Sequence, residues 1–154
     1  MAQMIFVNLP VADLEASKAF YLALGYTVDP RFSDDKATSI VISEHIVVML
    51  LTGPFFATFC TKPTADARAV TEVRNCLSME SREAVDRLVD AAVAAGGREE
   101  RSVMDMGFMY MRAFDDLDGH VWEIAWMDPS FAEKGVTDER HDDAEVMAAL
   151  EARR

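Results

Sequence analysis

The chain has 154 residues, 51% of them hydrophobic, and a formal net charge of −12, enough apolar mass for one sizeable core or for two small fused repeats. That charge excludes a nucleic-acid surface, which needs clustered Lys and Arg, and disfavours binding to anionic membranes. No apolar run approaches the ~20 residues of a membrane helix. The N-terminus has no basic segment leading into an apolar core and a cleavage site, so a cytoplasmic location is expected.

Met4 to Leu9 alternates like a strand, and Pro10 ends or edges it, because proline cannot donate to a ladder. Asp13 is placed to cap a helix whose apolar stripe reads Ala16, Ala19, Phe20 and Ala23, with Gly25 as its stop. A stripe through Leu14, Ser17, Tyr21 and Leu24 is interrupted by Ser17. Tyr26 to Val28 forms a short strand. Lys36 to Ser43 and His45 to Thr52 pair as a hairpin around Ser43 and Glu44. Gly53-Pro54 then opens a short apolar helix or lid-like loop carrying Phe55, Phe56 and Phe59. Residues 62–68, polar and containing Pro63, read as a linker.

The second half repeats the plan. Val73 to Met79 is a strand, Ser81 a cap, and Val85, Leu88, Val89, Ala92 and Val93 line a helix stopped by Gly96-Gly97. After a polar connection, Phe108 to Met127 is two apolar runs joined by the turn Asp116-Leu117-Asp118-Gly119. Asp118 and Gly119 there suit the positive φ of a tight hairpin. In the second run Trp122, Ile124 and Trp126 share one face, and Val121, Glu123 and Ala125 the other. Glu123 is thus an isolated carboxylate among apolar neighbours, a placement that requires a partner. Pro129 ends the ordered body, and residues 131–154 form an acidic tail with a short helix from Glu145 to Arg153. Cys60 and Cys76 have no metal-type spacing. They fit two reduced core thiols, as a cytosolic compartment favours, or a disulfide.

Each half therefore reads strand, helix, glycine stop, then several strands. The expected fold class is α+β, two tandem βαβββ modules (about 1–62 and 70–130) within one domain at 1–130, forming a curved mixed sheet around a cleft.

This pattern resembles the vicinal oxygen chelate superfamily, which includes glyoxalase I, bleomycin-resistance proteins, fosfomycin-resistance enzymes and extradiol dioxygenases. The matching stretches are Ile5 to Ser17 with Phe20 to Gly25, and the Asp116-Leu117-Asp118-Gly119-His120-Val121-Trp122-Glu123 turn and strand. Gly107 to Tyr110 and Trp122 to Ile124 are similar to a bacterial subgroup of predicted lactoylglutathione lyases, although Leu117 stands where those members carry proline. The resemblance implies a divalent metal held from the first and fourth strands of each module, and a homodimer. Carried over by position, the metal sites fall on Phe6, Met49, Arg74 and Glu123, of which only Glu123 is a ligand type. Such sites need about three protein ligands. No cofactor is expected, with a divalent metal on displaced ligands as the lesser alternative.

Glu123 is then either a cleft acid paired with Arg74 or Arg112, able to serve as a general base, or a structural ion pair. Arg74 is a candidate anion anchor. Tyr110 and Arg112 share a strand face, and with Asn8 they complete the expected ligand-binding set. Met104, Met106, Met109 and Met111 form an adaptable apolar wall or core filling. His120, on the face opposite Glu123, reads as a turn-edge residue, and His45 and His141 receive no role. Two functions follow. One is a glyoxalase-like protein binding a small polar molecule, with lyase-type proton transfer at Glu123. The other is a non-catalytic protein that sequesters a drug or metabolite.

Overall fold

The computed structural model describes residues 1–134, 148, 151 and 152. Most of the expected helix at 145–153 lies outside them, as does His141.

The first module runs β1 (Ile5–Val11), α1 (Leu14–Ala23), β2 (Thr27–Asp29), a 3-10 turn, β3 (Ala37–Val41) and β4 (Ile46–Thr52). The short helix α2 (Gly53–Ala57) then leads into the linker. The second module runs β5 (Arg74–Ser78), α3 (Arg82–Ala94), β6 (Arg98–Glu99), β7 (Met104–Asp105), β8 (Met109–Asp115), β9 (Val121–Met127) and α4 (Pro129–Lys134). In each module the first strand lies parallel to the last, and the remaining pairs are antiparallel. The sheet orders are β1-β4-β3-β2 and β5-β9-β8-β6, with β7 also on β8. The first module is thus the expected βαβββ unit, and the second is the same unit with the strand beside β8 split into β6 and β7. Each keeps its own mixed sheet, and β1 and β5 are free edges. Pro10 lies within β1, as an edge strand allows.

Local chemistry accounts for the helix ends. Asp13 accepts from the Ala16 N–H at 2.9 Å, and Ser81 from the Ala84 N–H at 3.1 Å. Gly25 and Gly96 end the helices with φ of +94° and +105°. Two expectations change at the helix faces. The buried stripe of α1 is Ser17, Phe20, Tyr21 and Leu24, with Ala19 and Ala23 exposed; Ser17 can be buried because its hydroxyl has a partner. On α3, Val93 is exposed while Val85, Leu88, Val89 and Ala92 are buried. Pro129 does not end the ordered body. It starts α4, where a missing N–H costs nothing, and Phe131 stacks on Phe108 with centroids 4.0 Å apart.

One hydrophobic cluster spans both modules. Leu9, Phe20, Tyr21 and Leu50 of the first pack with Val89, Phe114, Trp122 and Ile124 of the second. Phe20 meets Phe114 at 6.0 Å, and Tyr21 meets Trp122 edge-on at 6.4 Å.

The β8–β9 turn bolts this packing in place. Asp118 accepts from the Ala12 N–H at 2.9 Å, the Ser17 hydroxyl at 3.1 Å and Arg68 at 3.2 Å. Asp116 accepts from the Tyr21 hydroxyl at 2.6 Å and from the N–H groups of Asp118 and His120 at 3.0 Å. The Trp122 indole in turn donates to Tyr21 at 3.0 Å. Only Gly119 takes positive φ (+90°) in the turn, and a Cβ there would come within 2.8 Å of the Ala67 backbone. Asp118→Ala strands the buried Ser17 hydroxyl and the part-buried Ala12 N–H, so it should destabilise the protein by about 1–3 kcal/mol. Urea unfolding checks this, and an unchanged midpoint would contradict the role assigned to the turn.

Candidate functional site

Strand pairing decides which side chains meet. In the first sheet Val7, Leu9, Val48 and Leu50 face the helices, while Phe6, Asn8 and Met49 take the far face. In the second, Trp122 and Ile124 face the helices, and Arg74, Cys76 and Glu123 take the far face. Tyr110 sits opposite Trp126 and Arg112 opposite Ile124. Those two expected ligand-binding residues therefore lie on the helix side, away from Glu123. There the Tyr110 hydroxyl donates to Asp86 at 2.8 Å, and Arg112 donates to Asp86, Asp90 and Glu99 at 2.9–3.0 Å. Glu99 above all, with Asp86 and Asp90, outweighs burial and raises the Arg112 pKa.

Glu123 is paired with Arg74, not Arg112. The Arg74 Nε donates to Glu123 Oε1 at 2.6 Å, and its terminal nitrogens lie 3.4–3.5 Å from Glu100. Arg101 reaches Glu100 at 3.4 Å. Burial opposes the Arg74 charge, but Glu123 and Glu100 more than compensate and raise its pKa. Arg74, the candidate anion anchor, is therefore flanked by two carboxylates of its own chain. Cys76 faces Glu123 across the ladder, and burial together with that carboxylate pushes its thiol pKa up. Cys60 and Cys76 are free thiols, and Cys76 is exposed rather than in the core.

The donor set does not fit the superfamily's divalent metal. Phe6 and Met49 have no hard donor, Arg74 is a cation, and the carboxylate of Glu123 is already engaged. Among the described residues, no group of three or more His, Cys, Asp or Glu is placed to hold a metal ion.

His120 has a larger part than a turn edge. It is 3% exposed, with Nδ1 2.6 Å from Glu72 and Nε2 2.7 Å from the Pro10 carbonyl. A carbonyl and an ionised carboxylate can only accept, so this pair of contacts favours the doubly protonated ring. Burial disfavours that charge, but Asp116, Glu72 and the Pro10 carbonyl outweigh it and raise the pKa. The sequence placed His120 correctly opposite Glu123 but gave no sign of Glu72, 48 residues away.

His120 also borders a cavity of about 390 Å³ between β1, α2, the linker and the approach to β5. A second, larger cavity of about 780 Å³ lies where Tyr26, Ile42 and Ile46 face Cys76, Met109 and Met127.

The sequence model of the bleomycin resistance protein-like N-terminal family matches residues 3–43. The structure of hypothetical protein SA1046 from S. aureus superposes with a TM-score of 0.69 at 31% identity, covering 82% of this chain and 95% of that one. The N-terminal stretch thus resembles the bleomycin resistance protein-like N-terminal family, and the chain as a whole shares the fold of SA1046. Two further solved structures share the fold. A glyoxalase/bleomycin resistance protein/dioxygenase family enzyme from Burkholderia phytofirmans PsJN has a TM-score of 0.67 at 19% identity, covering 82% of this chain and 99% of that one. A glyoxalase-related enzyme from Fulvimarina pelagi has a TM-score of 0.67 at 22% identity, covering 82% and 88%. No curated protein sequence matches the chain.

Because the folded pKa of His120 is raised above its ordinary 6.5, its stabilising effect is complete below about pH 6.5 and is lost as pH rises through the folded value. Unfolding free energies measured from pH 5.5 to 9 should therefore decline more steeply for the wild type than for His120→Gln. Parallel profiles would show that the ring is not charged in the folded state.

Proposed function

We propose that this protein binds and holds a small organic molecule and does not transform it, in the manner of the bleomycin-resistance branch of its superfamily. The observation that carries the reading is the 2.6 Å contact between Arg74 and Glu123. The one carboxylate at the superfamily's metal positions is held by a guanidinium. A general base must instead be free to take a proton from its substrate. The displacement of Tyr110 and Arg112 to the helix side removes two groups that would have oriented a polar substrate beside it.

A homodimer and a cytoplasmic location accompany this reading. Ile5 and Phe6 of the edge strand β1, with Met4 just before it, are exposed, and such an edge is normally covered or paired. No helix among the described residues is long and apolar enough to cross a membrane.

The test is a turnover assay with the hemithioacetal of methylglyoxal and glutathione, with and without added nickel, zinc or manganese. A working general base contributes roughly 10²–10⁴-fold to rate. The expected result is no lactoylglutathione formation under any condition, in the wild type and in Glu123→Gln alike. Turnover by the wild type that Glu123→Gln abolishes would sink the sequestration reading in favour of a lyase.

A further inference from the structure

Strand β1 has a free edge. The Ile5 N–H donates to the His45 carbonyl, the residue before its partner Ile46 in β4. By the alternation of the ladder, Ile5, Val7 and Leu9 bond to β4, and the main-chain N–H and C=O of Asn8 turn to the open side. The 390 Å³ cavity lies on that side. Val7, Leu9, Phe56 and Val73 supply apolar walls, and linker residues 60–65 form one rim. The size falls in the range of small-molecule sites, about 300–1,000 Å³, and an apolar lining with few convergent polar groups is their usual chemistry.

The polar groups at this cavity divide into spent and unspent. Glu72 and the Pro10 carbonyl are both taken by His120. The Asn8 carboxamide has only a 3.5 Å contact to the Phe6 carbonyl, so it remains able to donate and accept. Lys62 is an exposed rim residue. Among the described lining residues the charges of Glu72 and His120 meet each other and Lys62 stands at the exposed rim, so a buried ionic ligand would go unpaired, which is costly. The overall charge of −12 further repels anions.

We propose that the cavity between the free edge of β1, α2 and the linker is the ligand site, and that it takes an uncharged, mostly apolar molecule whose single hydrogen-bonding group is met by Asn8. The proposal rests on the small-molecule-binding reading and adds to it the place and the ligand class. Phe56 offers a ring face for an aromatic body, and the Asn8 amide and main-chain groups fix its polar end.

The probe is N-phenylnaphthylamine, which is uncharged, aromatic and carries one N–H. Anilinonaphthalene sulfonate, nearly the same body with an added anionic group, is the control. Fluorescence titration of the full chain at neutral pH should show saturable binding of the amine, at least about tenfold tighter than the sulfonate, a difference of about 1.4 kcal/mol. Asn8→Leu should weaken the amine by roughly three- to tenfold, the worth of one hydrogen bond. Thr64→Trp, on the exposed linker, and Val73→Trp, at a position 45% exposed, each place an indole in the cavity and should abolish binding at an unchanged melting temperature. If one of them melts early, the other carries the test. Absent amine binding, equal affinity for the sulfonate, or binding retained in the folded Trp variants, as occupancy of the 780 Å³ hollow would give, overturns the proposal. Catalytic turnover would overturn only the sequestration reading and leave the cavity assignment standing.

Discussion

The carboxylates of Asp116 and Asp118 are what the rest of the structure depends on. They belong to a turn of the second module, yet their acceptors are filled by Ala12, Ser17 and Tyr21 of the first. Two sheets with free edges and no ladder between them could slide over a shared apolar interface, because hydrophobic burial is not directional. Hydrogen bonds to carboxyl oxygens are directional, and where buried they are costly to leave unmade. The turn therefore converts a packing of Phe20, Tyr21, Phe114 and Trp122 into a fixed register between modules. Gly119 is the residue that lets the turn approach Ala67 closely enough to do so.

Register also separates the two ionic clusters of the second sheet. Arg112 and Glu123 come from neighbouring strands, but a side-chain period of two residues sends them to opposite faces. On the helix face, Arg112 is surrounded by three carboxylates and locks α3 to β6 and β8. On the far face, Arg74 does similar work between β5 and β9. Both guanidiniums are paired with carboxylates within the chain.

Most of the fold was readable because it follows local rules. Caps at Asp13 and Ser81, glycine stops at Gly25 and Gly96, and the alternation around Glu123 each depend on neighbouring residues only. The α1 stripe was misread because Ser17 looked like an interruption, and its burial becomes intelligible only with Asp118, 101 residues later. His120 was underrated for the same reason: Glu72 and the Pro10 carbonyl reach it from distant segments. The pairing of Glu123 with Arg74 was legible as one of two options. The exclusion of Tyr110 and Arg112 was not, since it turns on the register of β8 against β9, which nothing within either strand specifies.

The position of the inter-module tie bears on what the gap can hold. In metal-using members of the superfamily, a cation draws side chains from both modules toward the middle of the cleft. Here the middle positions offer a phenyl ring, a thioether and an ion pair confined to one sheet. Ties that cross between modules, among them Asp116 and Trp122 to Tyr21, Asp118 to Ala12 and Ser17, and His120 to the Pro10 carbonyl, gather around the β8–β9 turn and the start of β9. Clamping the modules there leaves the edges of β1 and β5 apart without loosening the shared core. The same displacement that spends the polar chemistry on holding the halves together leaves an apolar space between them, the usual lining of a small-molecule site.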